Sequence, residues 1–231
     1  MKICAMSDLH GNLPQYEEGF YDGCELLLIC GDIIPLEIQI NINGSKTWIT
    51  QEFKYWASSI PVDKVIFIGG NHDFICERCE NYLHHWFSKH DKVTYLHNSG
   101  LEYISNSGKV YSIFGSPYCK QFGNWAFMRD EDTLIKKFSE IPENLDILIT
   151  HDVPYGISDV LLQTVYWNTS EHIGNKPLRE AILEKKPKWH FSGHLHSTNH
   201  DIVQVEGINH ANVSLLDEKY NLIYEPLIVE I

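Results

Sequence analysis

The sequence is poor in basic residues. Lysine and arginine together number 18, against 31 aspartates and glutamates, which gives a formal net charge of −13. Long nucleic acids are bound by clustered lysine and arginine side chains that neutralise the phosphate backbone, and the sequence contains no such cluster. The composition therefore argues against a long nucleic acid as a partner. Bound divalent cations would offset part of the negative charge.

Long apolar runs are also missing. The longest ones, such as ELLLIC and ILIT, are far too short to cross a bilayer. The first twelve residues, MKICAMSDLHGN, contain one lysine and no apolar run of signal-peptide length. These features predict a cytoplasmic protein that does not act in a membrane.

A disulfide framework is absent from the cysteine pattern. The six cysteines are scattered at positions 4, 24, 30, 76, 79 and 119, and several lie within apolar runs where a free cysteine behaves as a small hydrophobic residue. A reducing cytosol fits this usage. Cys76 and Cys79 form a lone Cys-x-x-Cys, which is weak evidence for zinc without a second pair, so their role stays open.

What the chain does contain is typical of a globular protein. Hydrophobic residues make up 43% and charged residues 21% of its 231 residues. Because there is no internal repeat, low-complexity tract or linker, we predict one domain over residues 1–231.

Strand and helix patterns alternate along most of the chain. Short apolar runs that favour strands occur at 2–6, 25–30, 64–68, 109–114, 146–150 and 188–192. Helices are predicted at 46–58 with Ser45 as cap, at 74–88, at 131–140 and at 176–186, and the tail 201–231 reads as three strands. This order indicates an α/β protein whose sheets are buried between helices.

The residues that follow the strands carry the functional signal. Five strand ends are followed by SDLHGN, GDIIP, GGNHDF, THDVP and GHLHS. Sites in α/β sheets form at the carboxyl ends of strands, so these segments are expected to meet in one crevice. The candidate metal ligands all offer nitrogen or oxygen: Asp8, His10, Asp32, Asn71, His151, His194 and His196.

Seven ligands are too many for one tetrahedral ion, whereas two ions that share a carboxylate would use them. Each residue alone has a simpler explanation, for example Asp8 as a helix cap, or Asp32 and Asn71 as turn residues. Five strand ends of this kind, in this order, are hard to explain as unrelated turns.

The motifs DLH, GD, GNHD, TH and GHLH, which run from residue 8 to residue 196, resemble the five signature blocks of the calcineurin-like metallophosphoesterase superfamily. The segments 115–128 (GSPYCKQFGNWAFM) and 150–159 (THDVPYGISD) resemble its small branch of metallophosphoesterase-domain proteins, similar to class III cyclic-nucleotide phosphodiesterases. The resemblance implies two mixed β-sheets packed face to face as a sandwich, flanked by helices.

The resemblance also implies the roles of the site residues. One divalent ion would be held by Asp8, His10, Asp32 and His196, and the other by Asp32, Asn71, His151 and His194, with Asp32 bridging. The donor set is compatible with Mn, Fe, Zn, Ni or Co. His72 would contact phosphate and protonate the leaving group, while Asp73 either orients a histidine or caps helix 74–88.

The implied activity is hydrolysis of small phosphodiesters or phosphomonoesters, nucleotides among them, by a hydroxide that bridges the two ions. Three alternatives stay open: a protein phosphatase or a nuclease of the same superfamily, and a non-catalytic scaffold on this fold. The negative charge and the single-domain length count against the nuclease, the GNHD block against the protein phosphatase, and the complete ligand set against the scaffold. A homodimer is also left open.

Substrate specificity is expected from two loops rich in aromatic residues. Residues 117–128 contain Tyr118, Phe122, Trp125 and Phe127, and residues 156–175 contain Tyr166 and Trp167. Their rings would either stack on a nucleobase or pack in the core or a dimer contact, and we favour packing.

Overall fold

The computed structural model describes residues 1–161 and 171–231. Its strands are β1 Lys2–Met6, β2 Cys24–Ile29, β3 Lys64–Phe67, β4 Val93–Tyr95, β5 Ser99–Ile104, β6 Val110–Ser116, β7 Cys119–Lys120, β8 Met128–Arg129, β9 Ile147–Thr150, β10 Trp189–Ser192, β11 Val203–Val205, β12 Ile208–Asn212 and β13 Leu227–Glu230. Its α-helices are α1 Ile42–Trp48, α2 Lys54–Ser59, α3 Phe74–Arg78, α4 Glu80–Trp86, α5 Glu131–Ser139 and α6 Lys176–Lys185, and a π-helical turn, Ile49–Phe53, joins α1 to α2.

The strands form two large mixed sheets, as predicted. One has the order β13-β1-β2-β3-β4 and the other the order β11-β12-β10-β9-β6-β5. The inner pairs are parallel, whereas β13, β5 and β11 pair antiparallel at the edges. Since parallel neighbours end at the same edge of a sheet, β1, β2 and β3 end together in the first sheet, and β9 and β10 end together in the second.

The apolar run on β2 shows how the two sheets are buried. Leu26 and Leu28 belong to the core that includes Ile147 of β9, while Leu27 and Ile29 belong to the core beneath the helices. Successive side chains of a strand point to opposite faces, so a strand covered on both sides must be apolar throughout. The run ELLLIC is therefore explained by a sheet that is covered on both faces.

The predicted strands and the three-stranded tail are confirmed with small boundary shifts, but β4, β5 and the short pair β7 and β8 were missed. The helix predicted at 46–58 starts earlier, at Ile42, and its cap is Asn41, whose side chain accepts the N–H of Gly44 at 3.1 Å. The proposed cap Ser45 lies inside the helix and donates to the carbonyl of Ile38.

The helix predicted at 74–88 is two short helices. Cys79 interrupts it with φ −129° and ψ 41°, which are not helical values. Cys76 is buried and Cys79 half-buried, and within the described ranges neither belongs to a group of three or more metal-ligating side chains. No helix in those ranges is long and apolar enough to cross a bilayer.

A chain of buried polar groups lies on neighbouring strands of the second sheet. The hydroxyl of Thr150 donates to the carbonyl of Asp152 at 2.7 Å, and it also lies 2.8 Å from His190 Nε2. His190 Nδ1 in turn lies 3.1 Å from His210 Nδ1. Because the hydroxyl has one proton, His190 Nε2 must donate to it, so a neutral His190 accepts from His210 Nδ1–H. This order leaves His210 Nε2 buried without a partner, as the structure shows.

Candidate metal centre

The loops that follow β1 and β2 run side by side at the predicted site. The N–H of Asp8 donates to the carbonyl of Gly31 at 3.0 Å, and the N–H of His10 donates to the carbonyl of Asp32 at 2.8 Å. These bonds continue the parallel pairing of the two strands beyond their ends. They place side chains from both loops in one crevice.

Two overlapping groups of side chains have the spacing of metal ligands. Ligand atoms of Asp8, His10 and His196 lie within 4.8 Å of one another, and so do those of Asp8, Asp32 and His151. All of these side chains are buried. Asp8 is shared by the two groups, while the bridging role assigned to Asp32 stays a prediction.

The other two predicted ligands lie at the border of these groups. Asn71 Oδ1 is 2.9 Å from His151 Nε2. The ring of His194 lies 5.1 Å from that of His151, and its backbone N–H donates to the carboxylate of Asp8 at 3.0 Å. Among the described residues, His194 is not part of either close group.

Four of the predicted ligands have a left-handed backbone. The φ angles are 57° at Asp8, 42° at His10, 52° at Asp32 and 70° at His194. This conformation is uncommon for residues other than glycine, and such strain of ~1–3 kcal/mol each collects at functional sites. Among the described residues, seven other non-glycine residues also have a positive φ, so the backbone supports four of the seven predicted ligands without selecting them alone.

Two of the histidines are oriented by backbone carbonyls. His151 Nδ1 bonds the carbonyl of Cys30 at 2.8 Å, and His196 Nδ1 bonds the carbonyl of Asp217 at 3.0 Å. Metal-binding histidines usually donate their second ring nitrogen in this way, which fixes the tautomer and the ring direction. In both residues Nε2 is therefore the atom left for the site.

His10 shows that the site fits a metal ion. Its ring is buried, both of its nitrogens lack a hydrogen-bond partner, and Nε2 lies 3.6 Å from Asp32 Oδ2. Burial lowers the pKa of His10 to about 4, so the ring is neutral at physiological pH. A buried, neutral and unpartnered imidazole beside carboxylates is suited to bind a divalent cation.

The two aspartates stay ionised. Burial alone would raise the pKa of Asp8, but its hydrogen bond to His196 and the nearby charges bring it below its usual range. Burial alone would also raise the pKa of Asp32, but the charge of the neighbouring His151 brings it well below its usual range. In return, the carboxylates overcome burial and raise the pKa of His151 to about 10 and that of His196 to about 9. A bound cation would replace these histidine protons.

Two glycines allow the loops at the strand ends to pack closely against the aspartates of the site. A Cβ on Gly193 would collide with the Ser7 hydroxyl and the Asp8 carboxylate. A Cβ on Gly70 would collide with the side chain and the backbone N of Asp32. Both glycines are required by close packing against the site.

His72 lies at the edge of the centre. Its backbone N–H donates to Asp32 Oδ1 at 2.7 Å, and its ring Nδ1 lies 2.6 Å from Gln39 Oε1. Since the amide oxygen can only accept, Nδ1 carries a proton and Nε2 is the atom available on the other side of the ring. Gln39, which the sequence analysis missed, thus sets the orientation of His72.

Asp73 has a different role from either one predicted. Its carboxylate accepts the N–H groups of Ile33, Ile34 and Gly70 at 2.8–3.2 Å. It makes no capping bond to α3 and it orients the loops after β2 and β3 rather than a histidine. Burial, followed by the charge of Asp32, raises its pKa to about 7.

The turn that contains Asp217 and Tyr220 is a second feature the sequence analysis missed. Besides the carbonyl of Asp217, which orients His196, the ring of Tyr220 lies 4.9 Å from that of His10 and 5.5 Å from that of His196. The N–H of Ser197 donates to Glu218 Oε1 at 3.2 Å. No motif marks this turn, because backbone carbonyls and ring contacts leave no characteristic spacing.

The predicted aromatic loops divide between core and site. Tyr118 and Phe127 are buried, which confirms packing for these two residues. Phe122 and Trp125 instead line a cavity of about 850 Å³ beside the metal centre. Tyr166 and Trp167 lie outside the described residues.

The structure is thus an α/β sandwich with a buried aspartate–histidine cluster at its strand ends. Comparison with known proteins agrees with this fold and this kind of site. Residues 1–198 match the family model of the calcineurin-like phosphoesterases, and the chain belongs to that metal-dependent family. It is 23% identical over 247 residues to metallophosphoesterase domain-containing protein 1 of Homo sapiens, covering 100% of this chain and 71% of that protein.

It is also 29% identical over 205 residues to probable rhamnogalacturonate lyase C of Emericella nidulans, covering 85% of this chain. The match spans only 17% of that relative's length, so the activity of the whole relative is not carried over. The structure of TT1561 of Thermus thermophilus is similar with a TM-score of 0.58 at 10% identity, covering 91% of this chain and 88% of that one. That likeness supports the fold.

Proposed function

We propose that the chain, as a single domain over residues 1–231, hydrolyses small phosphodiesters or phosphomonoesters, nucleotides among them, with the help of two divalent metal ions. The observation that carries this proposal is the buried cluster of Asp8, His10, Asp32, His151 and His196, in which His10 has no other partner. The cluster borders a cavity that is large enough for a small organophosphate.

The proposed ligands are Asp8, His10, Asp32 and His196 for one ion, and Asp32, Asn71, His151 and His194 for the other. Divalent ions held there would lower the pKa of water to near neutrality and neutralise the charge of the phosphate. The ion identity is open among Mn, Fe, Zn, Ni and Co, since nitrogen and oxygen donors suit them all.

The chain's own residues would position the phosphate and move the proton. His72 lines the cavity, and its Nε2 faces away from the bond to Gln39. We assign to this nitrogen the contact with the leaving oxygen, where the protonated imidazole donates its proton as the ester bond breaks. Gln39 holds the other ring nitrogen and so keeps the ring in the donating orientation.

The test is hydrolysis of bis(p-nitrophenyl) phosphate by protein stripped with EDTA and then loaded with Mn²⁺. We expect turnover only with the metal, and a loss of at least ~100-fold for Asp8→Asn. His85→Gln is the control, because His85 is exposed on α4. Wild-type protein that binds the metal ions but hydrolyses neither this ester nor a phosphomonoester would support the scaffold alternative instead.

A further inference from the structure

The cavity beside the metal centre is larger than a phosphate group needs. One end is formed by Asp32, Asn71, His72, His194 and His196, and the cavity extends from there to a total of about 850 Å³. Ligand pockets of ~300–1,000 Å³ enclose whole small molecules. The part away from the ligands is therefore suited to the organic group of the substrate.

Aromatic rings flank the phosphate end of this cavity. The ring of Trp125 lies 4.6 Å from that of His72 with 38° between the planes, and the ring of Phe122 lies 5.6 Å from that of His194 with 30° between them. Phe122 is 61% exposed and Trp125 is 37% exposed, although both are large apolar side chains. Exposed apolar surface that lines a pocket marks a binding surface.

The charges in the cavity disfavour a second anionic group. Lys120 is the one lysine or arginine among its described lining residues, and its Nζ already donates to the carbonyl of Ile173 at 2.6 Å. The lining also includes the carboxylates of Asp152, Glu171 and Glu218. An additional phosphate or carboxylate on the substrate would meet more carboxylates than ammonium groups among these lining residues, which disfavours its binding.

We propose that the preferred substrates carry a single phosphate esterified to a flat, uncharged ring system, which lies against Trp125 and Phe122. The inference rests on the proposed function, since it places the phosphate at the candidate metal centre. A flat ring gains from stacking on aromatic faces in a way that a saturated ring of similar volume does not. The shared chemistry is the ring, which either a simple aryl group or a nucleobase would provide.

The test is calorimetric binding to Mn²⁺-loaded protein at low temperature, with each titration assayed for released phosphate so that only heats of binding are counted. The probes are methyl, cyclohexyl, phenyl and 4-carboxyphenyl phosphate, together with adenosine 5′-monophosphate. We expect phenyl phosphate to bind about 10-fold more tightly than cyclohexyl phosphate, because only the aryl ring stacks. We also expect 4-carboxyphenyl phosphate to bind more weakly than phenyl phosphate, and the nucleotide to show whether a nucleobase binds better than a simple ring.

Variants of Trp125 and Phe122 test whether these two residues cause the preference for an aryl ring. Trp125→Leu and Phe122→Leu keep apolar volume, so each should reduce the preference for phenyl over cyclohexyl phosphate while methyl phosphate binds as before. Tyr55→Leu is the matched control, because Tyr55 is 78% exposed on α2 and does not line the cavity. Equal affinities for the two rings in wild-type protein would overturn the inference. Failure of every phosphate probe to bind would instead contradict the proposed function.

Discussion

Replacement of His210 by glutamine is expected to make the protein less sensitive to acid. His210 is buried, and burial lowers its pKa from 6.5 to about 4. Between these two values the unfolded chain binds a proton that the folded chain does not, so stability falls as the pH falls from 6.5 towards 4. Burial is the main cause of the lowered pKa and the charge of Arg179 adds to it, while His210 Nε2, where a second proton would bind, has no hydrogen-bond partner.

The size of the effect follows from the two pKa values. One unit of pKa corresponds to ~1.4 kcal/mol, so this histidine can account for at most ~3.4 kcal/mol of stability. Most of that difference develops below pH 6.5, and the loss between pH 7 and pH 5 is ~2 kcal/mol. His190, whose pKa burial also lowers, adds to the acid sensitivity of the wild-type protein.

The assay is urea unfolding at pH 7 and pH 5 in the presence of EDTA, with wild type, His210→Gln and the exposed control His85→Gln. The free energy of unfolding of wild type and of the control should fall by similar amounts between the two pH values. The fall should be smaller by ~2 kcal/mol in His210→Gln, whatever its stability at pH 7. An equal fall in all three proteins would refute the assignment of a neutral, buried His210.

The remaining predictions concern the site. Asp32→Asn should weaken the binding of both metal ions and nearly abolish hydrolysis. Elemental analysis that finds at most one tightly held ion in active wild-type protein would contradict the two-ion proposal. His72→Asn should slow the hydrolysis of an ester with an alkoxide leaving group by ~10²–10⁴-fold, and that of a nitrophenyl ester clearly less, at unchanged metal content. Equal losses of rate on the two esters would make His72 a phosphate-binding residue. Gly193→Ala should destabilise the protein by ~1–3 kcal/mol, because its Cβ would collide with Ser7 and Asp8; an unchanged urea midpoint would show that the loops can move apart.

The sequence was sufficient for those parts of the molecule in which the chemistry is local. Apolar runs bounded by polar segments located the central strands, and the polar segments located Asp8, Asp32 and His151. Edge strand β5 was missed because none of its residues is buried and its half-buried and exposed positions alternate only weakly. The interruption at Cys79 was missed because no glycine or proline marks it.

The sequence was insufficient where one side chain acts on another from a distant loop. Gln39 is 33 residues from His72, and Asp217 is 21 residues from His196. Neither contact has a characteristic spacing, and Asp217 acts through its backbone carbonyl, which every residue possesses. The left-handed backbone of His10 was equally invisible, because φ depends on the surrounding loops.

The position of β1 has a consequence for synthesis of the protein. β1 lies inside its sheet, between β2 and β13, and the ammonium group of Met1 donates to the carbonyl of Ile231 at 3.1 Å. While the chain is being translated, β1 can pair with β2 but must wait for more than 200 residues before β13 reaches its other side. Until then it is an open strand edge, able to pair with other chains. Ribosome-bound intermediates should therefore be prone to aggregate until β13 has been made, and the group of Asp8, His10 and His196 should be complete only after the Asp217 carbonyl that orients His196 has been made.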